Sequence, residues 1–181
     1  MLAQLLRADL LATVHVSSLE TRQLKELLRY RSRLVRDASR MKNRIHMLLM
    51  KNNLRSPVSD LFGARGLRYL EEIELPDYHR QQLETYLLLY KKLQEQIKPL
   101  TRRVRALVKE NHTAQLLMTI PGIGPITAMF IVAELDDISR FRSYRNLASY
   151  AGLVPSLDAS AGKEKMGRIT KQGSPPTCGL L

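Results

Sequence analysis

From Leu24 onward, apolar side chains recur in alternating steps of three and four: Leu24, Leu27, Leu34, Ala38, Met41, Ile45 and Leu48, interrupted only where Arg31 falls on the series. This is a heptad seam, and it predicts a long helix over about Ser18–Asn52. Ser18 and Thr21 suit its N-cap region, and Glu20 suits the positive end of its dipole. A second seam of Leu83, Tyr86, Tyr90, Leu93, Ile97, Leu100, Val104 and Leu107 predicts a second helix over about Asp77–Asn111. Pro99 falls inside it and should kink it or split it. Between the two, Pro57, Gly63, Gly66 and Pro76 punctuate a connector with a short helical patch at Leu67–Ile73. Two seams of similar length joined by a loop predict an antiparallel helical hairpin. So thin a hairpin buries little surface per residue, so it should pair with another copy or pack on another domain. Ahead of it, residues 1–16 make a short amphipathic piece, followed by a Val14–Val16 alternation.

The pattern tightens at Ile120–Ala128, IPGIGPITA. Gly122 and Gly124 mark a tight turn, since glycine accepts positive φ at no steric cost, and Pro125 fits the first turn of a following helix. Leu116, Leu117 and Ile120 before the turn and Ile126, Met129, Phe130 and Val132 after it complete a helix–hairpin–helix pattern. Free N–H groups at such a turn, beside a positive dipole end, suit a phosphate. An ordinary helix–turn–helix corner in a core uses the same residue types, and the pattern alone leaves both open.

Beyond it, Arg140, Arg142 and Arg145 lie along a short amphipathic segment whose apolar contacts are Phe141, Tyr144, Leu147 and Tyr150. Gly152 and Pro155 stop that helix. Ser156–Gly162 then reads as a polar loop of small residues in which Ser160 is little hindered. Lys163, Lys165, Arg168 and Lys171 follow, a cation density suited to a phosphate. A serine hydroxyl is a weak nucleophile without a base, a metal or a strong electrophile beside it, so composition alone leaves Ser160 a loop serine.

Charge narrows the partners. The 181 residues carry 29 Lys and Arg against 17 Asp and Glu, a net +12. Eleven basic residues against three acidic ones crowd into Ser18–Arg55. That excess is larger than a solvated helix face needs and points to nucleic acid. No apolar run approaches the roughly 18 residues of a membrane span. Arg7 and Asp9 interrupt the N-terminal apolar stretch, so no signal peptide is read there. The single Cys178 excludes an internal disulfide and fits a reducing cytosol. His15, His46, His79 and His112 are scattered, which argues against a zinc site.

GIGPITA, the run FRSYRNLASYAGLVP and the pair SAGK and GRITKQG together resemble the C-terminal domain of the one-ten family of insertion-sequence transposases, the DEDD transposases described as bridge-RNA-guided serine recombinases. LLRADLLATVHV and RLVRDASRMKNRIHMLL are similar to that family's middle region, so the resemblance runs to about Ser174. It implies that Ser160 is a nucleophile forming a phosphoserine link to DNA. Lys163, Lys165, Arg168 and Lys171 would stabilise the phosphate charge, with Gly122 and Gly124 on the DNA backbone and Arg140, Arg142 and Arg145 along the DNA. Ala161 stands where the family commonly has Gly. In the family, a divalent metal, magnesium by chemistry, is held by four acidic residues of an RNase H-like domain. This chain is expected to begin downstream of all four, leaving it without a cofactor. A structured guide RNA is the implied partner of the basic hairpin, beside DNA and a second copy of the chain, at the prokaryotic nucleoid in the cytoplasm.

The expected fold is all-α: a long antiparallel helical hairpin leading into a small helical domain with a helix–hairpin–helix core. Residues 1–17 would follow a missing domain, 18–112 form the coiled-coil hairpin, and 113–174 form the C-terminal transposase domain. In 175–181, Pro175 and Pro176 stand where the family continues into a helix, and the tail reads as the product of a shifted or truncated frame. The expected function is DNA transposition and recombination by a fragment inactive on its own. Two other classes remain: a non-catalytic helix–hairpin–helix DNA-binding module, and a purely structural coiled coil.

Overall fold

The computed structural model describes residues 2–8, 10, 15–160 and 163–170, of which residue 2, residues 157–160 and residues 163–165 are described by backbone alone. Seven α-helices and one small antiparallel β-hairpin are present among them, an all-α architecture in substance. The elements are α1 (Leu2–Arg7), α2 (Leu19–Lys51), α3 (Ala64–Glu72), α4 (Asp77–Glu110), α5 (His112–Leu117), α6 (Pro125–Leu135), a 3-10 turn (Ile138–Arg140), α7 (Tyr144–Tyr150), β1 (Pro155–Ser160) and β2 (Lys163–Ile169). The chain divides into two compact units, one over Glu26–Val132 and one combining the residues up to Lys25 with those from Ala133 onward.

The first unit is the helical hairpin. Its two seams meet in reverse order: Ile45, Leu48 and Leu49 of α2 cluster with Leu83 and Leu87 of α4, while Ala38 and Met41 pack with Tyr90 and Ile97. Position falls along α2 as it rises along α4, so the pair is antiparallel. Leu28, Ile45, Leu83 and Val104 are fully buried, each contributing about 1.5–3 kcal/mol of hydrophobic stabilisation. Lys42 closes the cluster from outside, its ammonium 4.8 Å from the Phe62 ring and 5.5 Å from that of Tyr90.

Pro99 neither breaks nor splits α4, which runs without interruption over Asp77–Glu110. The proline faces solvent, so water can satisfy the Glu95 carbonyl that loses its helical donor.

The connector is more ordered than its punctuation suggests. α3 drops Leu70 into the base of the hairpin core beside Leu61. Gly66 makes this possible, because a Cβ there would run into the Leu61 backbone. Arg80, one turn into α4, holds the far end of α3: Nη2 donates to the Glu71 carbonyl at 2.6 Å and Nη1 to those of Ile73 and Leu70 at 3.2 and 3.4 Å. These are the carbonyls a helix end leaves without donors.

In the second unit, the predicted polar loop at Ser156–Gly162 is for most of its length a strand. β1 pairs with β2 in antiparallel register, with Leu157 opposite Met166, Asp158 opposite Lys165 and Ser160 opposite Lys163, and an irregularity between Pro155 and Leu157. Thr170 N–H donates to the Val154 carbonyl at 3.0 Å and extends the pairing. Small and charged residues dominate both strands, so backbone pairing holds the hairpin and no apolar alternation announces it. At Gly167 a Cβ would meet the Ser156 hydroxyl, so a larger residue there requires that side chain to rotate away.

Candidate nucleic-acid interface

The turn after α5 is built by residue type. Asn111 caps α5 by accepting from Ala114 N–H at 2.8 Å. After Met118 the chain tightens, and Ile123 N–H donates to the Ile120 carbonyl at 3.1 Å. Pro121 and Gly122 occupy the two central positions of that β-turn, with Gly122 at φ +90°. Proline first and a positive-φ glycine second is the signature of a type II turn. Gly124 then accepts the first bond of α6, from Ala128 N–H at 2.9 Å, with Pro125 at the first helical position. The N–H groups of Ile126 and Thr127 therefore have no acceptor within the helix and sit at its positive end. Nothing lies within 4 Å of where a Cβ would be at Gly122 or Gly124, so both backbones are open to close approach. Ala128, Met129, Phe130, Ile131 and Ala133 are buried, so α6 beyond its first turn is enclosed on most sides.

At its C-terminus α6 enters a polar network that the sequence analysis did not anticipate. Asp136 has φ +55°, in the left-handed region that Asp and Asn tolerate better than other side chains. Its Oδ2 lies 2.8 Å from His15 Nε2, and its Oδ1 accepts from Thr21 Oγ1 at 2.7 Å. The bonds from His15 and then Thr21 hold its carboxyl below the usual carboxylate range. Lys25 Nζ lies 3.8 Å from Oε2 of the buried Glu134 and donates to Ser17 Oγ at 3.0 Å. Asp137 accepts from the N–H and hydroxyl of Ser139, which starts the 3-10 turn and lowers the Asp137 pKa. The one local signal is the pair Asp136–Asp137 straight after an apolar helix, since Asp suits both a left-handed stop and a cap. The long-range partners leave no trace in a pattern of period 3.6.

The three arginines of the amphipathic segment have different environments. Arg140 is half-buried: its guanidinium lies 4.4 Å from the centre of the Phe141 ring and 4.6 Å from that of Tyr150, and Nε donates to the Leu135 carbonyl at 3.2 Å. Arg142 and Arg145 are exposed, Arg145 with its guanidinium 5.9 Å from the Tyr144 ring. Arg168 is exposed on β2, and the register places Lys163 opposite Ser160, both at the end of the hairpin. Lys165 stands two positions further along β2, opposite Asp158. The readings of Ala161, Lys171, Cys178 and the tail from Pro175 lie outside the described residues.

Among the described residues, no group of three or more His, Cys, Asp or Glu side chains is arranged to hold a metal ion. No described helix is long and apolar enough to cross a membrane.

Comparison with known proteins converges on the same stretch. Residues 114–177, from within α5 onward, match the family described as transposase IS116/IS110/IS902. The chain is 33% identical over 150 residues to the transposase for insertion sequence element IS1328 of Yersinia enterocolitica, covering 83% of this chain and 45% of that protein. It is 30% identical over 164 residues to a probable family 20 transposase of Pseudomonas aeruginosa, covering 88% and 48%. A shorter match, 53% over 45 residues, is to the pilin gene-inverting protein of Moraxella bovis, covering 25% and 14%. The chain thus spans under half the length of each of these relatives.

Proposed function

The chain belongs to the IS116/IS110/IS902 transposase family, and from that premise we propose that it is the hairpin and C-terminal part of a DNA transposase, recombining DNA at the nucleoid. The observation that carries this reading is the type II glycine turn leading into α6, two open glycine backbones beside a helix N-terminus, inside the stretch the family match covers. In the proposal, Gly122 and Gly124 take a DNA phosphate, Arg142 and Arg145 extend that contact, and Arg140 stiffens their segment. Residues 18–112 serve as the hairpin module and 113–174 as the DNA-handling domain. A guide RNA and a second copy of the chain are the further partners.

Ser160 is the proposed nucleophile. Its Oγ attacks a phosphodiester phosphorus, the new O–P bond replaces the bond to the leaving deoxyribose oxygen, and the serine proton passes to a base. Lys163, Lys165, Arg168 and Lys171 stabilise the charge that builds on the phosphate. Support comes from the register that sets Lys163 opposite Ser160. The metal chemistry of the family belongs to acidic residues that the described part of this chain does not assemble.

The test is affinity of the purified chain for duplex DNA and a structured RNA at two salt concentrations, followed by denaturing gels of DNA incubated with the chain and a supplied acidic catalytic domain. Salt-sensitive binding, with a denaturation-resistant DNA adduct lost in Ser160→Ala, is the expected result. Binding with no adduct in either form would leave a non-catalytic DNA-binding module. Absence of salt-sensitive binding would leave a structural coiled coil.

A further inference from the structure

The one break in the α2 seam is Arg31, and its surroundings explain what an arginine does there. It is half-buried at a position where the heptad calls for leucine, and Nε donates to Thr101 Oγ1 across the hairpin at 2.8 Å. Thr101 in turn donates to the Ile97 carbonyl at 2.8 Å, which fixes the hydroxyl as an acceptor toward Arg31. Thr101 also lines an open groove along α4 with Gln94, Ile97, Lys98, Arg102 and Arg105. Burial and then the neighbouring charge of Arg105 lower the Arg31 pKa, the direction set by cations crowding together. Two acids close by in sequence are engaged elsewhere: Glu26 lies 3.8 Å from Arg33, and Glu95 pairs with Lys92 at 3.0 Å. Among the described residues, no carboxylate forms an ion pair with Arg31, Lys98, Arg102 or Arg105. A half-buried cation with like-charged neighbours and no counter-ion weakens the fold, unless an anion arrives from outside.

We propose that this groove, lined by Thr101, Lys98, Arg102 and Arg105 with Arg31 bonded to Thr101 beside it, is a subsite for the phosphodiester backbone of a nucleic acid. It is built from α2 and α4 of the hairpin unit, and it rests on the reading that the chain handles nucleic acid. Arginine suits the role because its planar fork grips phosphate oxygens while Nε stays bonded to Thr101.

The test uses the full chain and Arg31→Leu, which completes the seam. The variant is expected to melt about 2–4 °C higher, since a buried cation is replaced by an apolar side chain. It should also lose nucleic-acid affinity, its dependence of log affinity on log salt becoming shallower by about 0.9 on duplex DNA or about 0.7 on single-stranded nucleic acid. Comparing labelled duplex DNA with a structured RNA tells which backbone is held, because only the bound one shows the change. Wild-type binding left unaltered by Arg31→Leu would overturn the subsite alone, whereas a wild type that binds neither polymer would sink the nucleic-acid reading with it. Inorganic phosphate raising the wild-type melting temperature as far as the polymers do would mean a free-anion site and overturn the backbone assignment. If Arg31→Leu fails to fold, the exposed Arg105→Gln carries the same test, and an unchanged salt dependence in that variant overturns the proposal.

Discussion

His15 Nε2 sits 2.8 Å from Asp136 Oδ2, 121 positions away along the chain, and pins the segment ahead of α2 to the residue that ends α6. The bond matters because Asp136 holds a backbone conformation, φ +55°, that costs most side chains about 1 kcal/mol or more. Thr21 holds the second carboxylate oxygen at 2.7 Å.

A pH dependence follows from the direction of the Asp136 shift. Its carboxyl is held below the ordinary range by His15 and then Thr21, so the folded chain favours the charged form. The associated stability is present above the unfolded carboxylate value of about 3.9 and is lost as pH falls through the lower, folded value. Asp136→Asn keeps a side chain that tolerates the left-handed backbone, and it should cost about 1 kcal/mol at pH 7 while flattening the acid limb. Asp136→Ala should cost more at both ends, because it adds backbone strain. Urea unfolding at pH 7 and pH 3 decides; equal losses for the two variants would mean that backbone strain plays no part.

The two glycines of the turn after α5 separate fold from binding. Gly122→Ala is strained by φ +90° although the space is open, so it should lose about 1–2 kcal/mol of stability. Gly124 has neither a positive φ nor a close neighbour, so Gly124→Ala should leave the melting temperature within error. If a DNA phosphate approaches that backbone, the same methyl group should weaken DNA affinity several-fold. Unchanged affinity in a fully folded Gly124→Ala would remove this glycine from the interface.

The seams and the glycine turn were legible because each is written in local spacing. α2 and α4 stop within one residue of their predicted ends, and Pro125 opens α6 as its position in the sequence implies. The β-hairpin was illegible for a physical reason: small and charged residue types dominate its sequence, and backbone pairing sets its register. Pro99 does not split α4, since an exposed helix face tolerates a missing bond that a buried one does not. Arg31 was visible as a break in the seam, but Thr101 and Arg105 became its neighbours only once the hairpin closed. In the proposed site, residue types near the glycine turn and Ser160 could be read from sequence. Nothing in the sequence distinguished a stacked Arg140 from an open Arg142.

Arg80 ties the end of α3 to α4, alongside the Lys91–Glu71 ion pair at 3.0 Å. It donates to three carbonyls of Leu70, Glu71 and Ile73, and Nε bonds Glu84 Oε1 at 3.0 Å. Arg80→Ala should therefore cost about 1–3 kcal/mol. Arg80→Lys should recover little, because one ammonium cannot span the fork. Hydrogen exchange gives the sharper reading: amides of α3 should lose protection while those in the middle of α4 keep theirs. Full rescue by lysine would show that charge, and not the planar geometry, holds α3 in place.

Arg140, Arg142 and Arg145 look equivalent in a charge count and should behave differently. Arg140 lies against two aromatic rings and bonds a helix-end carbonyl, so Arg140→Gln should lower stability by about 1–2 kcal/mol, and any change in binding should follow from that loss. Arg142 is exposed, and Arg145 has only a distant ring beside it. Replacing both by Gln should leave the melting temperature unchanged and make the salt dependence of duplex DNA binding shallower by about 0.9 for each phosphate no longer neutralised. The measurement is affinity at several salt concentrations beside a thermal melt for each variant. A steep slope that survives the double replacement would move the DNA-binding surface off this segment and onto the glycine turn and β-hairpin alone.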